Sequence, residues 1–145
     1  MGEQALAVWE QGLRFDGQSG SGHQVAMDGA LEDAKGARPK ELVLVALTGC
    51  TGMDVAAIMQ KMGKTMTRFE MSAEGDVTDS HPRVFTAIRL RYRGAGDEGA
   101  AANFVRAAEL SFTKYCPVAA MLKQVAEVSY EVYWNDRLIA SVPAA

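Results

Sequence analysis

The stretch from Glu41 to Met62, ELVLVALTGCTGMDVAAIMQKM, constrains this chain more than any other. Every residue from Leu42 to Leu47 is apolar, so a helix here has no polar side to offer water and calls for protein all around it. A bilayer is the other surrounding that would satisfy such a run. Against it, Asp54, Gln60 and Lys61 interrupt the pattern, and Thr48, Gly49, Thr51 and Gly52 leave too little uninterrupted hydrocarbon for a membrane core. The stretch reads as a central helix, beginning at about Pro39 and stopped by Gly63, with Cys50 near its middle.

The second cysteine lies in Lys114-Tyr115-Cys116-Pro117, directly before a helical pattern over Val118 to Val125. Proline is favoured at the first helical position, which puts Cys116 at the N-cap. There the helix dipole favours a thiolate. Cys50, more than two turns inside an apolar helix, lacks that help and needs a neighbouring cation or base. On local physics alone, Cys116 is the readier thiolate. No CxxC spacing links the two, and in a reducing compartment they would not form a permanent staple. A reactive pair and two inert core thiols both stay open.

With 145 residues and 48% hydrophobic content, the chain suits one domain over residues 1–145 with a core of its own. The net charge of −3 comes from interspersed signs, with no basic block for nucleic acid or an anionic membrane, so small ligands are the default partners. The opening MGEQALAVWEQ has neither a basic region nor an apolar signal core, and Leu6 stands where a myristoylation signal needs Ser or Thr. A cytoplasmic protein is expected.

Ala5 to Glu10, Leu13 to Asp16 and His23 to Asp28 read as a three-stranded meander, with Gly17 to Gly22 as a loop. After the helix, Thr67, Phe69, Met71 and Ala73 alternate with polar residues as in a half-buried strand. Gly75 to Arg83 reads as its loop, and Val84 to Tyr92 as the return strand, broken at Gly94. Asp97 is a fair N-cap for a helix to about Lys114 carrying Phe104, Ala108 and Phe112 on one face. Val128 to Trp134 and Arg137 to Val142 close the chain as strands. The order places the fold in the α+β class. His23 and His81 read as surface histidines, Arg89 and Arg91 as a solvated strand face, and Met53, Met59, Met62 and Met121 as adaptable core filling.

Taken together, Pro39-Lys40-Glu41-Leu42, Leu47-Thr48-Gly49-Cys50-Thr51-Gly52-Met53-Asp54-Val55, Lys114-Tyr115-Cys116-Pro117-Val118, Ser21-Gly22-His23-Gln24 and Met27-Asp28-Gly29 resemble the OsmC/Ohr superfamily, and within it the YhfA-like branch. The resemblance implies an OsmC-like fold with a long buried central helix and antiparallel sheets, in an intertwined homodimer with active sites at the subunit interface. It also implies thiol-dependent reduction of organic and inorganic hydroperoxides in stress protection, with no metal or organic cofactor. Cys50 aligns with the family's peroxidatic cysteine and Cys116 with its resolving cysteine. The first is oxidised to a sulfenic acid, the second condenses with it, and an external dithiol reduces the disulfide.

In the peroxidase branches a glutamate after the helix proline helps an arginine activate the first cysteine; here that position is Lys40. Glu41 sits about 180° around the helix from Cys50 and does not replace it. Arg14 is the first candidate for the activating cation, Arg38 the second, and Lys40 is a third through its own charge. The alternative reading is a non-enzymatic dimer of the same fold that binds a small apolar or thiol-containing ligand.

Overall fold

The computed structural model describes residues 2–143. The chain divides into two compact units with the boundary between Val43 and Leu44.

The N-terminal unit is the meander, β1 (Ala5–Gln11), β2 (Arg14–Ser19) and β3 (Gln24–Asp28), paired antiparallel in that order. Gly12, at φ 54°, makes the two-residue turn with Leu13, one residue later than the expected Gln11-Gly12. The expected loop over Gly17 to Gly22 also starts too early, because β2 runs on to Ser19. A Cβ on Gly17 would stand 2.9 Å from the Val25 carbonyl oxygen, so glycine there serves close strand approach. The helix α1 (Pro39–Lys61) begins in this unit, where Glu41 accepts a hydrogen bond at 2.8 Å from the Arg38 N–H, the carboxylate half of a capping box.

The second unit holds the rest of α1 and a four-stranded sheet of β4 (Arg68–Val77), β5 (Phe85–Ala95), β6 (Glu127–Trp134) and β7 (Arg137–Val142), in that spatial order. α1 ends in a Schellman motif: Gly63 at φ 69° donates to the Gln60 carbonyl, and Lys64 to that of Met59. All sheet pairs are antiparallel except β5–β6, which is parallel. Parallel neighbours need a crossover. It is made by a 3₁₀ turn over Glu98–Ala100, α2 (Ala101–Leu110), a π turn over Ser111–Tyr115 and α3 (Pro117–Leu122). Asp97 caps the first of these turns, accepting from the Gly99 N–H.

Alternation decides which face of this sheet is core. Ile88, Leu90 and Tyr92 of β5, with Val128, Tyr130, Val132 and Trp134 of β6, are buried against Phe104, Ala107 and Ala108 of α2. On the opposite face Arg89 pairs with Asp76 at 3.0 Å, and Arg91 with Glu74 and Glu131, each at 3.0 Å. From α1, only Leu47, Thr51, Val55 and Met59 are fully buried, one residue per turn. The other side is open, with Val45 59% and Met53 74% exposed. The protein cover expected all round this helix is therefore met within one chain on a single face. Of the four methionines expected as core filling, Met59 is buried, whereas Met53 and Met121 are exposed. By length and a mean hydropathy of 1.9 over 18 residues, α1 could cross a bilayer; its buried stripe is instead packed in the protein core.

Two glycines read as strand breaks lie inside strands. Gly75 belongs to β4, where a Cβ would come within 2.7 Å of the Phe85 ring. Gly94 belongs to β5, where a Cβ would meet the rings of Phe104 and Trp134, both at 2.8 Å. Both rings are fully buried and cannot retreat into solvent. Gly94→Ala should therefore cost about 1–3 kcal/mol through overpacking, read as a lower urea midpoint with an unchanged m-value.

Candidate active site

Cys50 and Cys116 are far apart in sequence and come together in the second unit. α1 carries Cys50, half-buried, in the position just before the buried Thr51. Cys116 is 3% exposed, in the core cluster against which Cys50 packs, and its thiol is near enough to feel that of Cys50.

The backbone around Cys116 explains how it gets there. In a regular α-helix the Cys116 N–H would bond to the Phe112 carbonyl, but it bonds to the Ser111 carbonyl at 2.9 Å. The helix expected to run to about Lys114 thus opens into one π turn after Leu110. The freed Phe112 carbonyl accepts from Lys123 Nζ at 2.6 Å, and that ammonium also sits 4.3 Å from the Phe112 ring centroid. Cys116 then takes the extended backbone of an N-cap (φ −77°, ψ 108°), with Pro117 beginning α3. The Ala119 N–H donates to its sulfur at 3.3 Å.

The N-cap placement is as the sequence indicates, but the thiolate preference expected from it is overturned. Burial, the largest influence, pushes the Cys116 thiol up to about 11, and contact with Cys50 adds to it. The N–H groups of Ala119 and Val118 offset this only in part. α3 is six residues long, and its few amide dipoles do not outweigh the loss of water around the sulfur. Cys116 therefore keeps its proton.

Four polar side chains not singled out from sequence join the site. Thr51 Oγ1 lies 2.6 Å from the Tyr92 hydroxyl and 2.7 Å from Ser111 Oγ, and Ser111 donates at 2.8 Å to Asp54 Oδ2. Thr51 and Ser111 are fully buried, so these bonds satisfy groups that water does not reach. Burial also raises the Tyr92 phenol above its ordinary value. The sequence signal was two polar residues three apart, Thr51 and Asp54, in the middle of a mostly apolar helix; their partners on β5 and the π turn were not visible in it. Next to Asp54, a cavity of about 540 Å³ is lined by Ala57, Ile58, Met62 and Leu110, with Lys61 and the Tyr115 ring.

The candidate cations Arg14, Arg38 and Lys40 all belong to the N-terminal unit, where Arg14 pairs with Glu10 at 3.1 Å. His23 and His81 are exposed. Among the described residues, no three of His, Cys, Asp and Glu converge as a metal site requires.

Residues 32–131 match the family model described as OsmC-like protein. Protein YhfA of Escherichia coli K12 is 40% identical over 131 residues, which cover 89% of this chain and 97% of that protein. The crystal structure of a hypothetical protein from Aquifex aeolicus VF5 superposes with a TM-score of 0.76 at 27% identity, covering 93% of this chain and 98% of that one. The organic hydroperoxide resistance protein OhrB of Bacillus subtilis has the same fold, with a TM-score of 0.61 at 16% identity over 91% of this chain and 98% of that one.

The raised Cys116 thiol can be read directly. In a Cys50→Ser variant, thiolate absorbance at 240 nm, with the double Cys50→Ser/Cys116→Ser variant as blank, should appear with a midpoint above the ordinary thiol value of about 8.5. A midpoint near 7 or below would restore Cys116 as the readier thiolate.

Proposed function

The chain belongs to the OsmC-like family, and from that premise we propose that it is a thiol peroxidase that reduces hydroperoxides, organic ones above all, with Cys50 and Cys116. The observation that carries this reading is the nearness of the two thiols in one core, on elements that only the fold brings together. Their asymmetry suits the division of roles. Cys50 is half-buried whereas Cys116 is 3% exposed, so a peroxide reaches Cys50 and the first attack on the O–O bond falls to it. That attack releases an alcohol and leaves a sulfenic acid on Cys50. Cys116 then condenses with it, water departs, and an external dithiol reduces the disulfide by exchange. The substrate class draws support from the shared fold of OhrB, the organic hydroperoxide resistance protein of Bacillus subtilis. The residues that serve the reaction need no metal or organic cofactor. Arg14, Arg38 or Lys40 supplies the activating cation.

The working form is a homodimer in the cytoplasm. Its motivation is the apolar exposure in each unit taken by itself: Leu6, Val8, Trp9 and Val25 on the meander, with Trp9 63% exposed, and Val45 and Met53 on α1. Apolar exposure of this kind marks an interface in a soluble protein, and a second copy covers it symmetrically. Sedimentation equilibrium at low concentration should find a folded dimer; a folded species at the chain mass of 15.6 kDa would count against it.

The activity is tested by consumption of cumene hydroperoxide with a dithiol reductant. Wild type should turn over and Cys50→Ser should not, while Cys116→Ser should accumulate a dimedone-reactive sulfenic acid at Cys50. Turnover by Cys50→Ser, or a sulfenic acid trapped at Cys116 in its place, would sink this assignment of roles.

A further inference from the structure

The backbone of Cys116 is tied to the helix that carries Cys50 by a short series of hydrogen bonds through the π turn. The Cys116 N–H donates to the Ser111 carbonyl at 2.9 Å, and Ser111 Oγ bonds Thr51 at 2.7 Å and Asp54 at 2.8 Å. Thr51 follows Cys50 directly on α1. The place of Cys116 relative to Cys50 therefore depends on which carbonyl its N–H takes. With Ser111 as partner the turn holds one extra residue. With Phe112, the partner in a regular helix, the turn would tighten by that residue and Cys116 would swing about 100° around the helix axis.

Lys123 occupies the carbonyl that the tighter turn would use. Its Nζ donates to the Phe112 carbonyl at 2.6 Å, from 11 positions further along the chain, and stands 4.3 Å from the Phe112 ring centroid. That ring is a fixed target, since it is 8% exposed and packs against Tyr130 with centroids 4.8 Å apart. The two residues whose N–H would reach this carbonyl in an α or a π turn do not serve it: that of Cys116 is engaged with Ser111, and Pro117 has none. Lys123 is also the C-cap of α3. Its bond closes a clasp with Cys116 inside it, fastened at Phe112 on one side and at the end of α3 on the other.

We propose that Lys123 is a positioning residue for the Cys116 thiol: by occupying the Phe112 carbonyl, its ammonium holds the turn in the π form and keeps Cys116 beside Cys50 for disulfide closure. The inference rests on the reading of the two cysteines as a redox pair. It gives Lys123 no part in the first oxidation of Cys50, which lies on α1. The charge matters as well as the N–H, because a cation is what the face of the Phe112 ring attracts. Arginine supplies both interactions, a donor for the carbonyl and a cation for the ring. Methionine keeps an unbranched apolar stem and supplies neither. Lys123 is an exposed residue, so its replacement leaves the buried core in place.

Diamide tests this without a peroxide. Its N=N bond adds the Cys50 thiol to give a sulfenyl hydrazide, which the Cys116 sulfur displaces to form the disulfide and release the hydrazine, the two thiol protons ending on its nitrogens. Adduct formation and closure are followed in the full-length protein by acid quench and mass spectrometry. Lys123→Met should slow closure at least tenfold with adduct formation unchanged within twofold, and Lys123→Arg should close within threefold of the wild-type rate. Lys123→Leu carries the same expectation as Lys123→Met and takes its place if that variant does not unfold cooperatively. Closure by Lys123→Met at the wild-type rate overturns the positioning role, as does Lys123→Arg that closes as slowly as Lys123→Met, or a wild-type adduct that never closes. Wild type that closes after diamide but leaves cumene hydroperoxide unconsumed, with Lys123→Met still slowed, keeps the positioning role and removes the peroxidase reading alone.

Discussion

A single buried hydroxyl, that of Thr51, sets the rotation of the long helix on its sheet. Left without partners it would cost about 1–3 kcal/mol, a large part of the margin of an ordinary domain. It has two partners, Tyr92 on β5 and Ser111 at the start of the π turn. A helix turns about 100° per residue, so fixing Thr51 toward the core also fixes Cys50 at its shoulder and Asp54 nearly one turn on. Leu47, Val55 and Met59 follow on the same stripe and supply the apolar burial that the hydroxyl directs. Apolar packing alone would hold this helix less specifically, because nearly every side of it is apolar.

The other half of the site depends on an irregularity. The π turn shifts every residue after Ser111 relative to a continuous helix, and its cost is a freed carbonyl at Phe112. Lys123 satisfies that carbonyl. The shift places Tyr115 on the cavity wall and Cys116 beside Cys50. Two features of the site thus follow from one extra residue in one turn.

The parts of this architecture legible in the sequence are those with a period or a motif. Strand alternation from Thr67 to Tyr92, the proline and glycine at the ends of α1, and the N-cap at Cys116 all follow from local rules. Gly17, Gly75 and Gly94 misled, because glycine marks a turn and a close packing contact equally well, and only the neighbours Val25, Phe85, Phe104 and Trp134 decide between them. The π turn left no mark, since Ser111 to Tyr115 continue a helical pattern. Cys116 misled in a more instructive way: its N-cap geometry is local and legible, but its burial in the folded core, which no local window shows, works against the thiolate. The apolar run of α1 indicated burial without indicating that one chain would supply only one side of it.

Everything proposed for this site requires Cys50 and Cys116 to work as one redox pair. The most direct measurement is the intact mass of the reduced protein before and after one equivalent of cumene hydroperoxide, with a non-reducing peptide map. A redox pair gives a loss of two hydrogens and a single cross-linked peptide joining Cys50 to Cys116 within the same chain, reversed by dithiol. An unchanged mass with both thiols still open to alkylation would contradict it.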